Sequence, residues 1–141
     1  MFRLQVKTHF DAAHRLSDYV GKCNREHGHR WDVEVCLEGR RLDHRNMLVD
    51  FGDVKSALKE LLDECLDHYQ LNESLLEPNP TAEFLAEWLF KNFSVYTKDW
   101  TTVRLVRTCV WESSDCCVKF SPDMRSVSNV FPITDGPNSA I

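Results

Sequence analysis

His14, His27 and His29, with Cys23 a few residues ahead of the tight His27-Gly28-His29 triplet, are the side chains of this sequence best suited to hold a metal ion. Residues two apart in an extended segment project to the same side, about 7 Å apart along the backbone, so the imidazoles of His27 and His29 can turn toward one ion. His14 would supply the third arm. Three neutral imidazoles around a tetrahedral zinc leave one position open for water or substrate, the arrangement of a catalytic site. If Cys23 fills that position, the same residues make a closed zinc module of one cysteine and three histidines with a structural, non-enzymatic role.

The elements that must position these groups can be read from alternation. From Phe2 to Phe10 the apolar residues Phe2, Leu4, Val6 and Phe10 fall on even positions, and continuing the pattern puts Ala12 and His14 on the apolar face. In the second strand Trp31, Val33, Val35 and Leu37 share one face, and His27 and His29 have their parity. Each histidine is thus in register with the inward residues of its own strand, provided that no bulge precedes His14. His9 falls on the polar parity and His44 lies among Arg40, Arg41, Asp43 and Arg45, so both read as solvated.

A chain of 141 residues suits one domain with a real core. With 43% apolar and 28% charged residues it reads as an ordinary soluble globule. The net charge of −5 and the lack of a basic stripe with interleaved aromatics argue against nucleic acid as a partner. No signal-like apolar segment opens the sequence and no apolar run approaches a membrane span. Six cysteines without a secretory signal then imply reduced thiols and a cytoplasmic protein. Cys36, Cys65, Cys109, Cys116 and Cys117 fall inside expected strands or a helix, where small buried fillers are the default.

Strands are expected over Phe2 to Phe10 and Arg30 to Glu38, joined through a polar loop, Ser17 to Arg25, that holds Cys23. A short extended stretch follows at Met47 to Val49. Val54, Leu58, Leu61, Leu62, Cys65 and Leu66 recur at helical spacing and predict a helix from about Gly52 to Asp67. After a loop from Leu71 to Asn79, Asn79-Pro80 reads as an N-cap and first helical residue, with Ala82, Leu85, Ala86, Leu89 and Phe93 on one face of a second helix. Strands at about Thr101 to Glu112 and Cys116 to Phe120, linked by the turn Ser113-Ser114-Asp115, complete a domain spanning 1–120. The remaining 121–141, with Pro122, Pro132, Gly136 and Pro137, reads as an irregular C-terminal extension. The order ββααββ predicts an α+β fold, a four-stranded antiparallel sheet with both helices on one face. Its two open edges favour pairing with further subunits into a homo-oligomer.

Phe10-Asp-Ala-Ala-His14, Cys23-Asn-Arg-Glu-His27-Gly-His29, Met47-Leu-Val-Asp50-Phe, Leu66-Asp67-His68, Asn79-Pro80-Thr81-Ala-Glu83 and Trp111-Glu112 together resemble the 6-pyruvoyltetrahydropterin synthase superfamily. The three residues between Cys23 and His27 resemble most closely its 6-carboxytetrahydropterin synthase branch, since pyruvoyl-forming members carry a longer insert. A third branch, which in place of the cysteine uses a glutamate three residues before the first histidine, fits poorly, because Asn24 stands at that position. Arg30-Trp31 and Cys116-Cys117 depart from the pattern.

The resemblance implies the tunnelling fold, in which subunit sheets join into a barrel, trimer-based or hexameric, with active sites between subunits. It implies a zinc-dependent lyase acting on 7,8-dihydroneopterin triphosphate to give 6-carboxy-5,6,7,8-tetrahydropterin, acetaldehyde and triphosphate in queuosine or other 7-deazapurine biosynthesis. Pyruvoyl formation and cleavage of sepiapterin-like side chains are the alternatives within the superfamily. On this reading His14, His27 and His29 hold Zn2+, which serves as Lewis acid toward side-chain oxygens. Cys23 is the general base, since a nearby cation or metal favours its thiolate. Asp67 orients His68 as the acid/base partner, although the pair also reads as a helix end where a cationic imidazole suits the dipole. Glu112 anchors the 2-amino and ring N–H edge of the pterin. Thr81 and Glu83 resemble a second pterin-contacting segment from a neighbouring subunit, though Glu83 alone reads as a first-turn helix acid. Lys22, Arg25, Arg15 and Arg30 are unranked candidates for the triphosphate.

Overall fold

The computed structural model describes residues 1–122. Its elements are β1 (Phe2–His14), a 3-10 turn (Lys22–Asn24), β2 (His27–Gly39), α1 (Phe51–Cys65), α2 (Leu71–Ser74), α3 (Ala82–Thr97), β3 (Arg104–Ser113) and β4 (Cys116–Phe120). The strands form one antiparallel sheet in the order β1-β2-β3-β4. The expected α+β layering is present. The sequence segment 123–141, most of the expected irregular extension, lies outside the described residues.

Alternation sets the layers. Pairing of β1 with β2 runs unbroken from Phe2 opposite Gly39 to His14 opposite His27, so no bulge disturbs the face that carries the histidines. Val6, Phe10, Ala12 and His14 of β1 and Trp31, Val33, Val35 and Leu37 of β2 are all buried on that inner face. Val33 lies opposite Val110 and Val35 opposite Thr108, which extends the face through even positions of β3 to Glu112. The helices cover it. Val54, Leu58, Leu61 and Leu62 of α1 and Leu85, Ala86, Leu89 and Phe93 of α3 join the same core, and the buried Thr108 hydroxyl donates to the Ala86 carbonyl at 2.6 Å. The opposite face is charged and cross-paired, with Arg3 against Glu38 and Arg30 against Asp11.

Several boundaries differ from the sequence expectation, each for a local reason. Both first strands run further than their apolar alternation, out to the histidines. Met47 to Val49 is not a strand: the Asp43 carboxylate takes the backbone N–H groups of Arg45 and Met47, and the Thr102 hydroxyl donates to the Leu48 carbonyl. Asp50 caps α1 by accepting from Gly52 at 2.6 Å. The expected cap of the next long helix is displaced from Asn79-Pro80 to Thr81, whose hydroxyl accepts from Phe84 N–H at 3.2 Å. Asn79 instead binds Asp18 through both ends of its amide, and Pro80 turns its carbonyl to His14. The single turn α2 was too short to show a period; Gln70 caps it and Leu71 anchors it in the core.

The β1 edge is open only in part. His68 N–H donates to the Asp11 carbonyl at 2.7 Å, Ala13 N–H donates to the Tyr69 carbonyl at 3.2 Å, and Ala13 bridges Gln70 in parallel. The edges left for strand addition are the N-terminal half of β1 and the outer side of β4. Cys36 and Cys109 are buried as expected, but Cys116 and Cys117 are exposed, because β4 is an edge strand entered directly from a turn. Removing the Thr81 hydroxyl (Thr81→Ala) should cost about 1 kcal/mol through loss of the helix cap, and Thr81→Ser should restore most of it. Urea denaturation checks this, and an equal midpoint for all three proteins would show that the cap contributes nothing.

Candidate metal centre

The inner face ends in a cluster of donors. Among the described residues, one ligand atom each from His14, His27, His29 and Glu112 lies within 4.8 Å of all the others. The imidazole rings stand edge-on to one another, with centroids 4.5 Å apart for His14 and His27, 5.1 Å for His14 and His29, and 4.8 Å for His27 and His29. The β1–β2 register creates this meeting, since His14 faces His27 directly and His29 sits two residues along the same face.

Two backbone carbonyls settle which nitrogen each ring presents. His14 Nδ1–H donates to the Pro80 carbonyl at 2.9 Å, and His27 Nδ1–H donates to the Arg25 carbonyl at 2.7 Å. A carbonyl can only accept, so these contacts place the proton on Nδ1 and leave Nε2 with a free lone pair. Nε2 of His14 and of His29 is buried with no hydrogen-bond partner. Leaving such an atom unsatisfied costs about 1–3 kcal/mol. A divalent cation is the partner that several convergent lone pairs can share, so the donor set fits a metal ion.

Burial favours the neutral form of His14 and His29. His14 is fully buried, and this desolvation pushes its pKa below the usual histidine range despite the opposing Pro80 contact. His29 is shifted the same way, again mainly by burial, with Glu112 opposing. Trp31, completely buried, forms the floor: its ring meets His14 edge-on at 4.9 Å and His29 at 5.2 Å, while its Nε1–H donates to the Ala12 carbonyl. Trp31 is thus a packing residue of the site. Its parity, two residues after His29, was the available signal.

The other candidates lie around this centre. Cys23 is half-buried in the 3-10 turn and is outside the donor set. Glu112, not Cys23, is the fourth residue grouped with the three imidazoles. Asp67 and His68 do touch, with Oδ2 2.9 Å from Nδ1. Asp67 also accepts from Asp11 N–H at 3.0 Å, and that bond, with His68 second, holds its carboxyl below the usual carboxylate range. His68 lies beyond the α1 cap with φ of 62°, and its side chain is 79% exposed. His68, His29 and Arg30 border one open cleft of about 530 Å3. Arg30 is already engaged by both carboxylate oxygens of Asp11. Arg15 and Arg25 border a second cleft, of about 750 Å3, together with Glu26, Glu73 and Glu77. Thr81 is spent on its cap, and Glu83 is an exposed first-turn residue of α3. The backbone partners Pro80 and Arg25 could not be found from the sequence, because their side chains have no part in the contact.

The depressed histidines give a signed pH dependence. A histidine with a folded pKa below its unfolded value of about 6.5 contributes stability that is complete above that value and lost as pH falls through the folded pKa. Metal-free protein should therefore lose thermal stability between roughly pH 7 and 5, above the range where Asp11 and Asp67 titrate. Melts of chelator-treated protein across this interval check it. A flat profile would contradict the burial of neutral rings.

A model of the family described as 6-pyruvoyl tetrahydropterin synthase matches residues 3–123. A protein of Synechocystis named 6-carboxy-5,6,7,8-tetrahydropterin synthase is 41% identical over 85 residues, covering 57% of this chain and 66% of that protein. The protein of the same name from Bacillus subtilis is 30% identical over 112 residues, covering 77% of this chain and 75% of its relative. The solved structure of Caenorhabditis elegans 6-pyruvoyl tetrahydropterin synthase superposes with a TM-score of 0.74 over 85% of this chain and 94% of that one; at 23% identity this likeness shows the fold. With the histidine cluster lying inside the matched segment, the chain belongs to the 6-pyruvoyl tetrahydropterin synthase family.

Proposed function

We propose that this protein is a zinc-dependent 6-carboxy-5,6,7,8-tetrahydropterin synthase, converting 7,8-dihydroneopterin triphosphate and water to 6-carboxytetrahydropterin with release of acetaldehyde and triphosphate. The observation that carries the reading is the convergence of three imidazoles whose Nδ1 protons are, for His14 and His27, committed to backbone carbonyls. The names of the relatives from Synechocystis and Bacillus supply the reaction. The three-residue spacing from Cys23 to His27 supports the carboxy branch.

When bound by His14, His27 and His29, zinc supplies Lewis acidity toward oxygens of the substrate side chain. The remaining steps belong to the protein. Cys23, on the short turn that leads into His27, removes a proton from the substrate side chain through its Sγ. His68 exchanges protons at its outward nitrogen, and Asp67 holds the other, Nδ1, at 2.9 Å. Because Asp67 is itself fixed by Asp11 N–H, the His68 ring is oriented from β1 even though it is exposed. Thr81 and Glu83 contribute to the pterin pocket of an adjoining subunit, while Glu112, whose Oε1 lies 3.4 Å from His14 Nε2, stands too near the metal-holding rings to take the far N–H edge of the same pterin. Lys22, Arg15, Arg25 and Arg30 supply the cations for the triphosphate, Arg30 with its guanidinium already held by Asp11.

A homo-oligomer follows from the same reading. The outer side of β4 and the N-terminal half of β1 are the edges through which sheets would join into a trimeric barrel, or a hexamer built from two. The exposure of His68 suits a role completed by a neighbouring subunit. The pathway served is queuosine or a related 7-deazapurine, in the cytoplasm.

Incubation of the purified zinc protein with 7,8-dihydroneopterin triphosphate should yield 6-carboxytetrahydropterin by mass spectrometry. Cys23→Ala should reduce turnover by about 10²-fold or more, the scale of a lost acid/base group, while its zinc content by elemental analysis stays unchanged. A pyruvoyl product, or full turnover in the cysteine variant, would overturn the assignment.

A further inference from the structure

The segment that carries Cys23 is placed by hydrogen bonds and not by packing, since no residue from Ser17 to Glu26 is buried. The Cys23 carbonyl accepts from Leu16 N–H at 2.8 Å, which closes the loop on itself. Leu16 is clamped in turn from both sides. Asn72 takes both backbone groups of Arg15 and also donates to the Pro78 carbonyl at 2.9 Å, and that carbonyl accepts from Ser17 N–H at 3.2 Å. Beyond Ser17 the tip turns through Gly21 at φ of 137° with Tyr19 and Val20 exposed.

Asn79 reaches this tip. Thr81 caps α3, so the Asn79 side chain is free for another partner. Its Oδ1 accepts from Asp18 N–H at 3.2 Å and its Nδ2 donates to Asp18 Oδ2 at 2.8 Å, which commits both ends of one amide to one residue of the loop. The bond to a carboxylate belongs to the stronger, charge-assisted class. The Asn79 backbone is fixed as well, its N–H donating to the Glu77 carboxylate at 3.0 Å. One residue further on, the Pro80 carbonyl takes the Nδ1 proton of His14. Asn79 thus stands between the loop that bears the thiol and the contact that aims a metal-holding ring.

Building on the reading of Cys23 as general base beside a three-histidine site, we propose that Asn79 is a positioning residue, which through Asp18 holds the Cys23 loop against the Pro80 segment and keeps the thiol at a fixed place relative to the imidazoles. In this role it touches neither metal nor substrate. Its release leaves the rings held by Pro80 and Arg25 and lets the thiol move, and a displacement of about 1 Å in a reacting group costs up to about 10²-fold in rate.

The test exchanges the two side chains in the full zinc-loaded protein. Asn79→Asp sets two carboxylates against each other and should lower kcat about 10-fold or more, with KM and zinc content unchanged. Cys23 of that variant should be alkylated by iodoacetamide about 10-fold faster, followed by peptide mass spectrometry, because loss of a charge-assisted bond raises local opening. Adding Asp18→Asn to Asn79→Asp restores one amide facing one carboxylate and should return both quantities toward wild type. Asp18→Asn alone should stay near wild type, since its oxygen still accepts from Asn79. A merely structural role would instead lower zinc content and melting temperature and leave kcat per bound zinc unchanged. Should Asn79→Asp not fold, Asp18→Ala, made at an exposed residue, removes the same bond and is expected to show the same two effects. Unchanged kcat per bound zinc, or an unchanged alkylation rate at Cys23, would overturn the proposal while leaving the reaction in place. A wild type that forms no 6-carboxytetrahydropterin would overturn the reading beneath it and the proposal together.

Discussion

Three imidazole lone pairs brought to one point at the end of a two-stranded ladder are what the rest of this structure is arranged around. The ladder must be continuous for this to happen, because a one-residue slip would send His14 to one face and His27 and His29 to the other. Its unbroken register from Phe2 opposite Gly39 to His14 opposite His27 meets that condition. The apolar layer beneath α1 and α3 secures it, since any slip would also expose Phe10, Trp31 and the valines. Core packing and metal-site geometry are therefore the same constraint expressed at two ends of one face.

The site combines dryness with fixed tautomers. Trp31 and the buried end of β1 shield the inner side from water, which favours the neutral form of His14 and His29 and keeps their lone pairs available. Such groups are costly to bury alone, and the Nδ1 contacts to Pro80 and Arg25 offset part of that cost while aiming Nε2 inward. The Pro80 contact also ties the cluster to the entrance of α3, and the Arg25 contact ties it to the turn that carries Cys23. The segments that bear chemistry are thus bonded to the rings they serve.

Asp11 organises the outer side in a comparable way. Its side chain holds Arg30 across the ladder, its N–H holds Asp67, and its carbonyl holds His68 N–H. The residues following α1 are laid along β1 by these bonds, which covers part of an exposed sheet edge and places His68 at the rim of a cleft shared with His29. Surface ion pairs such as Arg30 with Asp11 contribute little stability. Their value here is positional.

Strand alternation and helical spacing are local properties of the chain, so the α+β layering, the inward parity of His14, His27 and His29, and the faces of the two long helices were all legible from residue order. So were the family motifs. The ends of elements were not, because side chains from distant segments decided them: Asp18 took the amide of Asn79 and moved the helix cap to Thr81, and Asp43 took the backbone groups that a strand at Met47 to Val49 would have used. The same holds at the site. That Glu112 stands with the histidines and Cys23 does not, and that Asp67 touches His68 while itself held by Asp11, depends on which strands are neighbours. Residue order determined which groups could do chemistry and toward which face they point; only the folded sheet, by placing β3 beside β2 and the residues after α1 beside β1, decided which of them meet.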